Sequence, residues 1–225
     1  MDKIRVITVD GPSGSGKGTL ALRVAETLGW RFLDSGAIYR VLGLMVERAG
    51  IISVDRIGEI VDMASNMPLS FRQGKTLLEE EDVSDAIRTE TAGNAASKVA
   101  AIPDVRRALL DWQQGYAKSP GLVADGRDMG TVVFPAAEVK IFLTASAEER
   151  ALRRYKQLKG KGLGVNLARL TKEIRERDER DSNRSVAPLQ APQSALQLDS
   201  TMLTIDEVFQ RVMQKVYLTL PDLLG

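Results

Sequence analysis

Residues 11–19 read GPSGSGKGT, follow directly on the apolar run Ile4, Val6, Ile7 and Val9, and lead into LALRVAETLG. A short strand, a glycine-rich turn and a helix start, in that order, are the context in which GxxxxGK spacing makes a phosphate cradle. The glycines at 11, 14 and 16 let successive backbone N–H groups turn inward, and these donors act together with the positive end of the following helix. Gly11, Pro12, Ser13, Gly14, Ser15, Gly16, Lys17, Gly18 and Thr19 are therefore candidate triphosphate-binding residues, with Lys17 a mobile cation for the outer phosphates. The general pattern places Ser or Thr directly after the lysine. Here Gly18 intervenes before Thr19.

A phosphate cradle needs a compatible chemical inventory, and this chain's is narrow. It has no cysteine and no histidine. Disulfide frameworks, thiolate zinc sites and Ser-His or Cys-His hydrolases are excluded, which leaves carboxylates, Lys, Arg, hydroxyls and a hard cation to act. Phosphoryl transfer suits that set, since it depends on positioning and charge neutralisation. With 31 basic and 30 acidic residues the net charge is +1, which argues against a general nucleic-acid or membrane-surface binder. At 225 residues the expectation is a single domain over 1–225, one core with insertions. No signal-type stretch opens the sequence and no run of roughly eighteen apolar residues occurs, so a soluble cytoplasmic protein is expected.

Beyond the cradle, WRFLD at 30–34 is short enough for a second strand. Strand, P-loop, helix and strand make the opening βαβ unit of a parallel sheet. Asp34, Ser35 and Arg40 then lie just past a strand's carboxyl end, where open α/β sheets bind ligands. Ser35 is equally readable as the N-cap of the next helix. The periodicity predicts helices over 39–49, over 53–67 opened by Ser53, over 84–101, and from Asp104 to about Tyr116. Between the second and third lies a small hairpin, 69–71 and 76–78, turning through RQGK, and the acidic run 79–82 reads as a solvated turn or edge. Arg106 and Arg107 fall in a first helical turn, where they oppose the macrodipole unless an anion or carboxylate compensates.

GLVAD at 121–125 is a short apolar strand ending in an acid. In a chain with a P-loop that is the position from which a carboxylate orients a magnesium ion, so Asp125 is the metal candidate. Arg127 and Asp128 follow as a bidentate phosphate partner and an acceptor for amino donors, or as a plain surface pair. VKIFL at 139–143 is the next strand, Ser146 and Glu149 form a capping box, and the helix they open carries Arg150, Arg153 and Arg154. KGKGLG at 159–164 reads as a mobile turn. A charged helix from Asn166 to about Asp181 follows; Arg177, Asp181 and Arg184 share one face if it persists that far. LQL at 196–198 is a last strand, and a core-packing helix opened by a Thr204–Glu207 box closes the chain.

Five segments together, GPSGSGKGT, LDSGAIYR (33–40), NAASKVAAIPDVR (94–106), ADGRDMG (124–130) and ERDERDSNR (176–184), resemble the bacterial cytidylate kinases over essentially the full length. The resemblance implies an α/β fold: a P-loop NTPase core, a parallel β-sheet flanked by helices, with an inserted monophosphate-binding subdomain near 36–110 and a short lid near 155–184. It implies transfer of the γ-phosphoryl of ATP to CMP or dCMP with Mg²⁺, by a monomer with small-molecule partners only. By motif, Ser35, Arg40, Ser97, Arg106, Arg127 and Asp128 are similar to the family's acceptor site. Ser97, Arg106 and Asp128 match its cytosine readers and Arg40 and Arg127 its phosphate holders. Arg177, Asp181 and Arg184 match the segment that closes over the acceptor, with Asp181 toward the ribose hydroxyls. Lys17, Arg127, Arg177 and Arg184 are the implied catalytic cations.

Two other readings stay open on sequence. One is a P-loop kinase for another monophosphate, shikimate or dephospho-coenzyme A, against which the Arg and Asp acceptor motifs argue. The other is a nucleotide-binding switch, which would want a guanine-reading NKxD; the sequence has none.

Overall fold

Val6–Asp10 is buried at every position, as a strand covered on both faces must be. In the computed structural model, which describes residues 4–51, 56–72, 74–160, 162 and 164–224, it is the first of sixteen strands and α-helices. In order these are β1 (Val6–Asp10), α1 (Lys17–Leu28), β2 (Arg31–Asp34), α2 (Ser35–Arg48), α3 (Ile57–Ser65), β3 (Leu69–Arg72), β4 (Lys75–Leu78), β5 (Glu81–Asp82), α4 (Glu90–Val99), α5 (Pro103–Gly115), β6 (Leu122–Gly126), β7 (Val139–Thr144), α6 (Ala147–Gly160), α7 (Leu167–Ser182), β8 (Leu196–Asp199) and α8 (Ile205–Thr219). Ser53, expected to open a helix, lies outside the described residues, as do Gln73 of the hairpin turn and Lys161 and Leu163 of the KGKGLG turn. The chain divides into two compact units, Met1–Leu33 with Tyr116–Gly225, and Asp34–Gly115.

The first unit is built on a five-stranded sheet of order β2-β6-β1-β7-β8. β1 runs parallel to β6 and β7, with Val9 opposite Asp125 and Asp10 opposite Gly126 and Phe142. β7 runs parallel to β8. The chain leaves β1 toward β2 but leaves β7 toward β8, so the connections diverge beyond the carboxyl ends of the two central neighbours, where open sheets bind ligands. α1 lays Leu20, Ala21, Val24 and Ala25 on the core made by Ile7, Val9 and Ile141, and α8 adds Val208, Val212 and Val216 to it. Burying such a side chain is worth about 1.5–3 kcal/mol. The P-loop is thus tethered at both ends by well-buried elements. α6 and α7 pack on one another through Ala151, Leu158, Leu170 and Ile174.

The second unit holds α2 to α5 and an antiparallel sheet β3-β4-β5. α2 approaches α4 closely at Gly43, where a Cβ would stand 2.9 Å from the Ala95 methyl. Phe71 meets Trp112 edge to face at 6.3 Å. The acidic run is the turn into β5 and β5 itself, with Arg48 on Glu81, Arg72 on Glu80 and Lys75 on Asp82. Such exposed pairs contribute little.

Several expected boundaries move, each for a local reason. The helix predicted from Tyr39 begins at Ser35, because the Asp34 carboxylate, not the Ser35 hydroxyl, caps it by accepting from Ala37 N at 3.0 Å. The helix predicted over 84–101 is interrupted. Ser84 turns onto the Asp82 carboxylate, a single 3₁₀ turn covers Ala86–Arg88, and α4 starts only after Thr89, which accepts from Ala92 N. Hydroxyl and carboxylate side chains that bond local backbone compete with helix in this way. α7 ends at Ser182, so Arg184 lies beyond it. Among the described residues no helix is long and apolar enough to cross a membrane.

Candidate active site

The P-loop leaves β1 at Asp10 and closes into α1 at Gly16, the N-cap, which makes no side-chain cap bond; α1's first turn carries no acid. The positive helix end is therefore not neutralised by its own residues, as anion binding requires. Gly14 and Gly16 hold φ of 77° and 92°, a left-handed backbone that suits glycine. Lys17 reaches back so that its Nζ stands 3.8 Å from the Asp125 carboxylate at the end of β6, their side chains 12% and 7% exposed. Gly18 explains its own departure from the usual pattern: a Cβ there would sit 3.2 Å from Asp125 Oδ2. The small residue keeps room around this carboxylate, while Thr19 is exposed. An oxygen-only carboxylate beside a phosphate cradle, without thiolate or imidazole, fits a hard divalent cation such as Mg²⁺.

Asp10 was not among the sequence candidates. Its two carboxylate oxygens accept from Met129 N and Gly130 N, both at 2.8 Å, and so fix the π-type turn Met129–Val133 that follows Arg127 and Asp128. Burial pushes its carboxyl up to about 7, against the two backbone donors, and the nearby Asp128 and Asp125 charges add to the rise. Its signal in the sequence was only an acid ending an apolar strand, the same signal used for Asp125.

Arg127 and Asp128 do not form a surface pair. Asp128 is buried, and Arg127 Nε donates instead to Asp181 Oδ2 at 3.0 Å, across 54 residues of chain. Burial pushes the Asp181 carboxyl up, but Arg127, Arg177 and Arg184 together outweigh it and hold the group below its ordinary value of 3.8. Although Arg184 lies past the helix, it stays in the cluster because its Nε donates to the Asp181 carbonyl at 3.2 Å. Arg177 reaches Ser13 Oγ of the P-loop at 3.4 Å. A carboxyl with a depressed folded pKa stabilises the fold above its unfolded pKa and loses that contribution as pH falls through the folded value. The stability difference between the wild type and Asp181→Asn, from urea unfolding, is accordingly expected to be largest near neutrality and to shrink below pH ~4. A difference independent of pH would show that the ionised carboxylate does not stabilise this cluster.

Arg150, Arg153 and Asp178 were also passed over as functional. Arg150 is buried, pairs with Asp178 of α7, and donates to the Ser13 carbonyl at 3.0 Å. Arg153 donates to the Ser15 carbonyl at 3.2 Å and to the Ser200 carbonyl at 2.6 Å. Arg150 carried a weak signal: it falls between Ala147 and Ala151, on the side of α6 that packs inward. Of the expected Ser146–Glu149 box only one half forms: the Ser146 hydroxyl accepts from Glu149 N, while the Ser146 N–H donates to Thr201 Oγ1 and the Glu149 carboxylate accepts from Arg153.

In the 34–115 unit, Ser35 Oγ donates to Gln113 Oε1 at 3.0 Å, a partner the sequence did not suggest. Arg106 is buried, lies 5.4 Å over the Tyr39 ring, and donates to the Ala100 carbonyl at the C-terminal end of α4. The macrodipole of α4 thus favours its charge, and Arg107 is compensated by Asp104. Ser97 is buried on α4 and Arg40 half-buried on α2.

The model of the family "Cytidylate kinase" matches residues 7–218. The chain belongs to that family. It is 60% identical over 212 residues to a cytidylate kinase of Aeromonas salmonicida strain A449, covering 92% of each chain. To a cytidylate kinase of Nitrosococcus oceani it is 56% identical over 217 residues, covering 94% of this chain and 95% of the relative. A crystal structure of an uncharacterized protein from Eubacterium ventriosum shares the fold at a TM-score of 0.51 and 10% identity, covering 95% of this chain and 98% of that one. As a member of the cytidylate kinase family the chain is an enzyme, a kinase on a P-loop core. Within the first unit, Lys17 with Asp125, and Arg127 with Arg177, Asp181 and Arg184, come together. Ser35, Arg40, Ser97 and Arg106 belong to the second.

Proposed function

We propose that this kinase transfers the γ-phosphoryl of ATP to CMP or dCMP, giving ADP and CDP or dCDP, as a monomer in the cytoplasm. Membership of the cytidylate kinase family over residues 7–218 carries the reading, and the Lys17–Asp125 pair beside the P-loop supports it. The loop 11–19 holds the ATP phosphates through its backbone N–H groups, Pro12 having none to give, with Lys17 on the outer ones. An oxygen of the CMP phosphate forms the new bond to the γ-phosphorus, and the bond to the β,γ-bridging oxygen breaks. That acceptor oxygen is already ionised, so no side-chain base is needed. Catalysis then rests on alignment and on neutralising charge with Lys17, Arg127, Arg177 and Arg184. Asp125 is the residue to hold Mg²⁺, which when bound supplies further neutralisation of the phosphate oxygens.

Acceptor choice follows from donor and acceptor patterns. Cytosine offers an amino donor and two acceptors, to which a carboxylate, a hydroxyl and a guanidinium correspond. Asp128, Ser97 and Arg106 supply one of each, Arg40 and Arg127 take the acceptor phosphate, and Asp181 the ribose. Ser35, bonded to Gln113, is the remaining acceptor-site hydroxyl. Uracil would turn a carbonyl toward the buried Asp128 carboxylate. In a coupled ADP-release assay, kcat/KM with UMP is expected to fall about 100-fold or more below that with CMP, and AMP and GMP should be inert. Comparable UMP and CMP values would discard the base-reading assignment; turnover with a different acceptor alone would keep the cradle and replace the acceptor.

A further inference from the structure

Phosphate is bound by the N–H groups of the P-loop, but what fixes their direction is on the other edge of the same peptide units. In a planar trans peptide the carbonyl and the following N–H point in opposite directions. A group that holds the Ser13 carbonyl therefore aims Gly14 N–H, and one that holds the Ser15 carbonyl aims Gly16 N–H. Both glycines have positive φ, where the loop's own residues impose little preference. The carbonyls are held by two arginines one turn apart on α6. Arg150 Nη1 donates to Ser13 O at 3.0 Å and Arg153 Nη1 to Ser15 O at 3.2 Å.

Each guanidinium is in turn locked. Arg150, 4% exposed, spends its other donors on the Ala145 carbonyl at 2.8 Å and on both oxygens of Asp178. Arg153 is fixed by the Glu149 carboxylate and by the Ser200 carbonyl, and the buried Ser200 hydroxyl lies between the Thr144 carbonyl at 2.9 Å and Ser15 O at 3.2 Å, sharing its one proton with them. The loop also packs against the first of these side chains, for a Cβ on Gly14 would stand 3.2 Å from Arg150 Cβ. A cation on a carbonyl polarises the peptide and strengthens its N–H as a donor. We infer that Arg150 and Arg153 are positioning residues of the phosphate cradle, orienting the Gly14 and Gly16 N–H groups by gripping the Ser13 and Ser15 carbonyls. This rests on the kinase reading above.

Lysine at either position keeps the charge but loses the planar fork that bridges carbonyl and anchor, so it separates orientation from long-range attraction. ADP and CMP binding would be measured separately by calorimetry on Arg150→Lys and Arg153→Lys, each shown to be folded by thermal melting. The expected result is ADP affinity about 10-fold weaker in each variant, the cost of about one charge-assisted hydrogen bond, with CMP affinity unchanged. A general loosening of the structure would weaken both ligands alike, and would overturn the proposal, as would ADP affinity equal to wild type. If Arg150→Lys does not fold, the half-exposed Arg153 decides by the same outcomes. Failure of the wild-type chain to bind ADP would overturn the kinase reading itself and the positioning role with it.

Discussion

Lys17→Met is expected to lower turnover by about 100- to 1000-fold or more while leaving the protein folded. Methionine keeps the unbranched apolar stem and removes only the cation. The stem is what packs, since the side chain is 12% exposed, and the charge is what meets phosphate. Removing one preorganised donor from a water-poor site costs ~2.7–4 kcal/mol of transition-state stabilisation, and a full charge is worth more than a neutral donor. Folding is affected less. The Lys17–Asp125 separation of 3.8 Å is long for a charge-assisted bond, so the stability loss should stay near ~1–3 kcal/mol, within the 5–15 kcal/mol typical of a domain. Single-turnover assays with saturating ATP and CMP, alongside thermal melts, measure the two effects separately. Near-normal turnover in a folded variant would remove Lys17 from the phosphate cradle.

The parts of this protein legible in the sequence are those written in local pattern. β1, the P-loop and α1 announce themselves by an apolar run, glycine spacing and helical periodicity, and β7, β8 and α8 by period and capping residues. In the three-stranded sheet around residues 69–82 the hairpin and a solvated turn or edge over 79–82 are legible, but the tight turn into β5 is not, because Glu79 and Glu80 take positive φ there without being Gly, Asn or Asp. The start of α2 falls four residues before the expected Tyr39, because the apolar period is regular only from there on, while the Asp34 cap on Ala37 N opens the helix at Ser35.

What the sequence hid was long-range pairing. Arg127 and Asp128 are neighbours in the chain, yet the partner of Arg127 is Asp181, 54 residues away. Arg150 and Arg153 are in the sequence only charges carried by a capped helix, and no spacing rule links residue 150 to the Ser13 carbonyl 137 positions earlier. Asp10 binds backbone 119 and 120 residues downstream. Motifs identify residues that meet ligands because such residues sit together in loops at strand ends. The groups that hold those loops from behind come from other elements, and only the assembled sheet and helix pair brings them there.

Arg127→Ala is expected to reduce kcat/KM for CMP about 30-fold or more, or ~2 kcal/mol, chiefly through KM. Two effects are combined in that figure: loss of a cation from the acceptor phosphate, and release of the Asp181 carboxylate that Arg127 Nε holds at 3.0 Å. Breaking a buried pair usually costs 3–5 kcal/mol of stability because the remaining charge has no partner. Here Arg177 and Arg184 still act on Asp181, so the stability cost should be nearer ~1–2 kcal/mol, and the functional loss can be read on a folded enzyme. A double-mutant cycle with Asp181→Asn separates the two effects. If Arg127 acts only by orienting Asp181, adding Arg127→Ala to Asp181→Asn changes nothing further. If it holds phosphate itself, most of the 30-fold loss persists in the double variant, and Arg127→Lys, which keeps the charge without the fork, recovers part of it. An unchanged kcat and KM in Arg127→Ala would exclude both roles and confine this guanidinium to holding α7 against the end of β6.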